Sequence, residues 1–423
     1  MRHLVSGGVA AMVWLAGGAL PATAAEPLPG ADLAGLVALA RAANPEYTSM
    51  RLEADAAQER IGPAGALPDP KFRVEWMDIT QGGEQNPSLL PGNVGSVKYT
   101  WMQDLPWFGK RGLKRDVARF EAQASDGKAR GSWAELEARL KTVQAQRDYL
   151  QRNRLLTEDI LGLMRRLEQV AQARYAGGLA MQQDVIRAQV EQTGMRAELL
   201  ALQAERSQVD AQLNALLARG ASEPLALPDG PRALPAPERL DLAVLTERLR
   251  QRNPQLASEA ARLQAAEKSK ALTWLNRYPD FTLSLSPTQK QNAVSEWGLM
   301  LEFNIPLQQD SRRAQEREAQ AMLSAAQARN EALGFQLQAD LSQNLAALES
   351  ARRTEALVTG SLLPQAELGL QSALASYENG KLDFASLIDA ERQLRQAQQS
   401  RIKARLDAQM RLADIEKLIG EDL

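Results

Sequence analysis

From about Leu113 to Ala176 the chain runs without a proline. About 64 residues of helix rising ~1.5 Å each make a rod of ~95 Å, too long for a globular domain of ordinary size. Its Ala, Leu, Gln, Arg and Glu are the residues of long helices. Any fold for this chain must therefore be built around an extended helical leg.

The leg is written twice. Asn44-Pro45 returns as Asn253-Pro254, and Pro70-Lys71-Phe72 as Pro279-Asp280-Phe281, both at an offset of 209 residues. Tyr175-Ala176-Gly177-Gly178 returns as Tyr377-Glu378-Asn379-Gly380 at an offset of 202. Landmarks that keep their order and spacing mark a tandem duplication, with too few copies for a solenoid. Between the copies, residues 220–238 hold Pro224, Pro228, Pro231, Pro235 and Pro237 and read as a semi-rigid linker.

Each copy reads as helix, strand, loop, strand, long helix, Gly turn and return helix. The first, residues 25–219, predicts strands near 70–78 and 96–105, a long helix at 113–176, a turn at 177–180 and a return helix at 181–219. The second, 239–423, predicts a helix at 240–272, strands near 279–286 and 295–305, a long helix at 312–378, a turn at 379–382 and a return helix at 383–419. The first return helix (~58 Å) and the second opening helix (~50 Å) together match one long leg. This suggests that those two stack end to end, with the linker bulging between them. Pro364 inside the second leg predicts a kink that the first leg lacks.

The first return helix carries two apolar lines. Leu199, Leu202, Val209, Leu213 and Leu216 follow one 3.5-residue repeat; Ala197, Ala201, Ala204, Ala211, Ala215 and Ala218 follow another, about 160° around the axis. Polar residues fill the faces between them. A helix with neighbours on both sides and water in front and behind belongs in a wall, and a wall that curves and closes is a tube. The competing reading is a surface helix whose alanines serve helix propensity alone.

Between the helices, apolar residues alternate with polar ones. Phe72, Val74 and Trp76 share a face, as do Val97, Tyr99 and Trp101, then Phe281, Leu283 and Leu285, then Trp297, Leu299, Leu301, Phe303 and Ile305. Period-two alternation over nine or ten residues is the mark of a barrel strand with lipid outside and water inside. Trp107 and Phe108 follow as an interfacial belt would, and the cations after them, including Lys110 and Arg111, suit lipid phosphates or plain solvation. Four strands are too few to enclose a lumen, and an open edge in hydrocarbon leaves peptide groups unpaired. Strands that enter a bilayer must then be pooled by several chains. An α+β protein with two exposed hairpins is the rival.

Composition narrows the chemistry. Fifty Lys and Arg against 52 Asp and Glu argue against a nucleic-acid partner. There is no Cys and a single histidine, His3, so nucleophile–His catalysis, thiolate metal sites and His-based metal sites are not expected. No catalytic, cofactor or metal residue is singled out, and an enzyme is not expected. Arg2, the apolar stretch Val9–Leu20 and the exit Ala22-Thr23-Ala24 read as a signal peptide, residues 1–24, which implies export.

The duplicated plan resembles the TolC family of outer-membrane efflux channels. Asn44-Pro45, Leu67-Pro68-Asp69-Pro70, Asp104-Leu105-Pro106-Trp107-Phe108-Gly109-Lys110 and the two Gly turns carry the resemblance. The stretch Tyr377 to Asp389 is similar to the family's second tip motif. The resemblance implies a homotrimer: a twelve-stranded outer-membrane barrel continuing into a periplasmic α-helical barrel, mainly α with a small β part. It also implies a periplasmic adaptor (a membrane fusion protein), an inner-membrane RND-type pump, and contact with outer-membrane lipid. The Trp-Phe-Gly-Lys stretch and the Leu-Asp-Phe after the second turn look most like the heavy-metal cation branch. Drug efflux or type I protein secretion would use the same duct. An exported coiled-coil structural or adaptor protein is the alternative from another class.

By the same resemblance the turns form the periplasmic mouth, with Gly178, Leu179, Gly380, Lys381 and Leu382 exposed for adaptor docking. Asp184, Tyr377, Ser386 and Asp389 would form the gate, with Asp389 in an acidic ring and Tyr377 bonded to Asp184 across a closed mouth. Some relatives carry an Arg at the position of Leu382, tied to a neighbouring helix; this chain does not.

Overall fold

A computed structural model describes residues 28–81 and 87–423; the expected signal peptide at 1–24 lies outside the described residues. The first copy consists of α1 (Leu33–Ala43), α2 (Pro45–Glu59), the one-turn α3 (Ile61–Ala64), β1 (Lys71–Met77), β2 (Ser96–Leu105), α4 (Lys110–Ala176) and α5 (Gln182–Leu216). After a 3-10 turn at Pro237–Leu240 the second copy gives α6 (Leu242–Arg252), α7 (Pro254–Leu275), β3 (Phe281–Lys290), β4 (Ala293–Phe303) and α8 (Gln309–Leu357). A π-turn at Val358–Leu362 leads into α9 (Leu363–Glu378), and α10 (Phe384–Ile419) returns.

The opening helix expected at 240–272 is two helices, because Asn253 leaves the helical region and caps a new one. Its side chain accepts from the Leu256 N–H at 2.8 Å, and Pro254 takes the first helical position. Asn44 and Pro45 do the same between α1 and α2. Proline disfavours helix at the residue before it and suits the first turn after it, so Asn-Pro ends one helix and starts the next.

The stacking also differs from expectation. Asn44 Nδ2 donates to the Leu216 carbonyl at 2.9 Å, and Asn253 Nδ2 donates to the Leu418 carbonyl at 2.9 Å. Each opening helix therefore sits on the return helix of its own copy, α2 on α5 and α7 on α10. One amide satisfies an orphan N–H at a helix start and an orphan carbonyl at a helix end. The linker is pinned separately, by the buried Arg147, which donates to the Gly30 carbonyl at 2.9 Å, the Ala226 carbonyl at 2.7 Å and Asp210 Oδ1 at 2.7 Å.

Pro364 disturbs its leg as a π-turn. Lacking an N–H, it leaves the carbonyl of Gly360 without its usual donor, and the ring crowds that carbonyl. Helix α4 is unbroken over 67 residues, about 100 Å. It packs on α2 and α7 toward the sheet and on α5 and α10 toward the Gly turns. The approach to α7 is tight at Gly127, where a Cβ would lie 2.9 Å from the Ser258 backbone; Ser258 Oγ donates to the Ala124 carbonyl at 2.7 Å. The leucine line of α5 faces α4, with Val209 and Leu213 buried and Leu202 and Leu216 packed against them.

Candidate functional site

The strands form one antiparallel sheet in the order β1-β2-β3-β4, so β2–β3 pairing joins the two copies. Register places Phe72 opposite Trp101, Trp101 opposite Leu285, Leu285 opposite Leu299, and Phe281 opposite Phe303. The other face pairs Glu75 with Lys98, Asp104 with Thr282, and Thr282 with Glu302. One face is thus an apolar ladder and the other polar, as the alternation required. Every residue of β4 is exposed, Leu299 to 75%. Strands β1 and β4 each keep one edge without a partner among the described residues.

Where the sheet meets the helices, Gly109 (φ 87°) turns the chain from β2 into α4. Trp107 stacks on Tyr278 with centroids 5.1 Å apart, and its N–H donates to Asp280 Oδ1 at 2.7 Å. Lys110, expected to meet lipid phosphate or water, is buried instead: its ammonium donates to Asp280 Oδ1 at 2.8 Å and to the Tyr278 carbonyl at 3.1 Å. It bolts the first copy to the second at this level. Arg111 is exposed but donates to the Gly65 carbonyl at 2.9 Å, and Phe108 stands 77% exposed.

At the far end the two Gly turns are built alike. Gly178 and Gly380 both have φ 71°, which a side chain would strain. Leu179 N–H donates to the Arg174 carbonyl at 2.8 Å and Gly178 N–H to that of Tyr175 at 3.0 Å. Lys381 N–H donates to the Ser376 carbonyl at 2.8 Å and Gly380 N–H to that of Tyr377 at 3.0 Å. Both are Schellman closures. Leu179 and Lys381 are exposed, whereas Leu382 folds back onto the tip core and is not the exposed docking residue expected.

Arg174, which the sequence did not single out, joins the turns. Its guanidinium donates to the carbonyls of Tyr377 (2.5 Å), Glu378 (2.8 Å) and Leu179 (3.3 Å), and lies 4.8 Å from the Tyr377 ring centroid. Tyr377 is buried with its ring 5.4 Å from that of Phe384, and its hydroxyl has no hydrogen-bond partner among the described residues. The expected Tyr377–Asp184 bond is thus not made within the chain, because the ring is turned into the core. Burial, with the Asp184 charge nearby, raises the phenol from its ordinary value. Burial also raises Asp184, with Asp383 adding and Arg187 and Arg174 opposing. Ser386 is used locally: its N–H donates to Asp383 Oδ1 at 3.0 Å, capping α10 and holding the Asp383 carboxyl below its usual range. Asp389 is exposed, one turn before Arg392, whose Nη1 lies 3.8 Å away.

The model of the family described as outer membrane efflux protein matches residues 36–219 and 245–421. Among solved structures, the channel OprN aligns at a TM-score of 0.77 and 19% identity, covering 92% of this chain and 89% of that one. VceC from Vibrio cholerae aligns at 0.78 and 17%, covering 92% and 96%, and CusC at 0.77 and 16%, covering 92% of both chains. No curated protein matches the chain by sequence. No described helix is long and apolar enough to cross a membrane. The duplicated helix–hairpin–helix plan, the amphipathic sheet and the match to both copies agree: this chain belongs to the outer membrane efflux protein family, the TolC family, whose members are non-enzymatic ducts of the outer membrane reaching into the periplasm.

Proposed function

We propose that three copies of this chain close into one exit duct of a tripartite efflux system. A periplasmic adaptor would meet its tips and an RND-type pump would drive it. The open-edged amphipathic sheet carries this reading. In hydrocarbon each unpaired peptide group costs several kcal/mol, and three four-stranded sheets joined edge to edge leave none. Helix α5 supports it independently. Its alanine line, Ala197, Ala201, Ala204 and Ala215, is exposed while the leucine line is covered, leaving a small-residue seam for a helix of the next copy. Detergent-extracted protein is expected to run as a trimer by multi-angle scattering and to conduct in planar bilayers. A monodisperse monomer without detergent would remove the proposal.

We assign heavy-metal cations as the cargo on the Trp-Phe-Gly-Lys and Leu-Asp-Phe stretches. The near-equal likeness to OprN, VceC and CusC does not separate branches. A deletion strain losing tolerance to zinc, cobalt, nickel, copper or silver but not to dyes supports the assignment; loss of dye tolerance alone overturns it. Asp389 supplies one exposed carboxylate per copy, and three in a narrow mouth would concentrate cations. Asp389→Ala is expected to raise single-channel conductance and weaken block by divalent cations; unchanged traces would remove its gate role.

A further inference from the structure

Two turns into α10, Glu391 is fully buried, and neither carboxyl oxygen has a hydrogen-bond partner among the described residues. Leu387 and Ile388 precede it in one apolar cluster and Leu394 follows in another, with Leu363 and Ala366 packed opposite. Two acids of α5, Glu191 and Glu198, face this stretch, and two arginines of its own helix flank it. Arg395 Nε is 3.8 Å from Glu391 Oε1, beyond hydrogen-bond reach, and its Nη1 is 3.5 Å from Glu198. Arg392 is bound to Glu191, with Asp389 3.8 Å away. On α4, Glu168 is occupied by Gln189 and Gln192 of α5 at 2.8 and 2.5 Å.

The duplication shows what is missing. At the 202-residue offset of the tips, Glu391, Leu394 and Leu370 stand where the first copy has Gln189, Gln192 and Glu168. In the first copy the acid sits on the long leg and two amides donate to it. In the second, the acid sits on the return helix and the positions that could answer it are leucines. A carboxyl in such a place is far better neutral than charged. Burial pushes Glu391 up to about 7, Glu191 and Glu198 adding to the rise and Arg395 and Arg392 opposing it.

We propose that Glu391 is a proton-operated latch of the mouth: neutral, it lets α10 pack against α5 and α9; ionised, it loosens that contact and widens the opening. The latch rests on the duct reading. The direction follows from linkage. A carboxyl raised from 4.5 in the packed state gives stability that is complete in acid and lost as pH rises through about 7. The packed mouth is therefore favoured below neutrality and loosened above it, where the charge draws water between the helices.

The test is single-channel recording of the purified protein between about pH 4 and about pH 8.5, a range that spans both the ordinary and the raised value. Wild-type conductance is expected to rise with a midpoint near 7. Glu391→Gln and Glu391→Leu are each expected to stay at the acidic level throughout, and Leu suits a site already flanked by leucines. Amide exchange in residues 384–400 should follow the same titration in the wild type and lose it in both variants. A flat wild-type profile, or a titration kept by both variants, overturns the latch. So does loss of the titration in Asp389→Ala with its survival in Glu391→Gln, which would make Asp389 the sensor. Wild-type protein that forms no pore at any pH overturns the duct reading and the latch together, a result distinct from pores that ignore pH.

Discussion

Arg174 is where the two copies stop being equivalent. Its counterpart at the 202-residue offset is Ser376, which cannot reach across. One guanidinium therefore closes the C-terminal carbonyls of α9 as well as its own turn. Hydrogen bonds from a charged donor contribute about 1.5–3 kcal/mol, so Arg174→Ala should loosen the tips by about that much. Amide exchange is expected to quicken from Tyr377 to Lys381 and to stay unchanged in the sheet. Arg174→Lys should restore little, since an ammonium lacks the fork that reaches three carbonyls. Gly178 and Gly380 were legible because a helix reversal with positive φ selects glycine. Arg174 was not, because nothing local says that its side chain crosses to the other copy; the only trace was a broken repeat, Arg against Ser. Lys110 misled for a related reason. A cation after two aromatics fits lipid phosphate, and only the fold brings Asp280 to it from the other copy.

Among the elements, the long legs, the Gly turns and the alternating strands followed from period and proline placement, which are local. What packs on what did not. Helix lengths allowed α5 to meet the second copy's opening helix, yet the Asn44 and Asn253 side chains settle the matter the other way. Pro364 foretold a disturbance of its leg, and the π-turn at Val358–Leu362 just before it is the local form that disturbance takes. The tight approach of α4 to α7 gives an element-scale prediction. Gly127 leaves no room above Ser258, so Gly127→Val must push α4 from α7, at about 1–3 kcal/mol for an overpacked contact. Thermal unfolding should occur at lower temperature, and the buried Ser258–Ala124 hydrogen bond should be lost from a structure of the variant. Gly162, with open space around the place of a Cβ, is the control: Gly162→Ala should not destabilise.

For the whole molecule, the sheet decides which side of the chain meets which solvent. Leu301 lies on the apolar face and Met300 beside it on the polar one. A cation on the lipid side near the bilayer midplane costs about 2–4 kcal/mol, and far less on the wet side. Leu301→Arg is therefore expected to cut the yield of folded protein in outer-membrane fractions, while Met300→Arg assembles and changes only ion selectivity. Equal yields would show that the faces are misassigned.

The asparagine amides carry one more implication. Since each opening helix is seated on the return helix of its own repeat, each half of this polypeptide carries one complete set of two strands and two legs. Six such halves would supply as many strands and legs as three full-length chains. Fusion into pairs would then have freed alternate halves to diverge, one acquiring the arginine that bridges its neighbour, the other a carboxyl stripped of its donors.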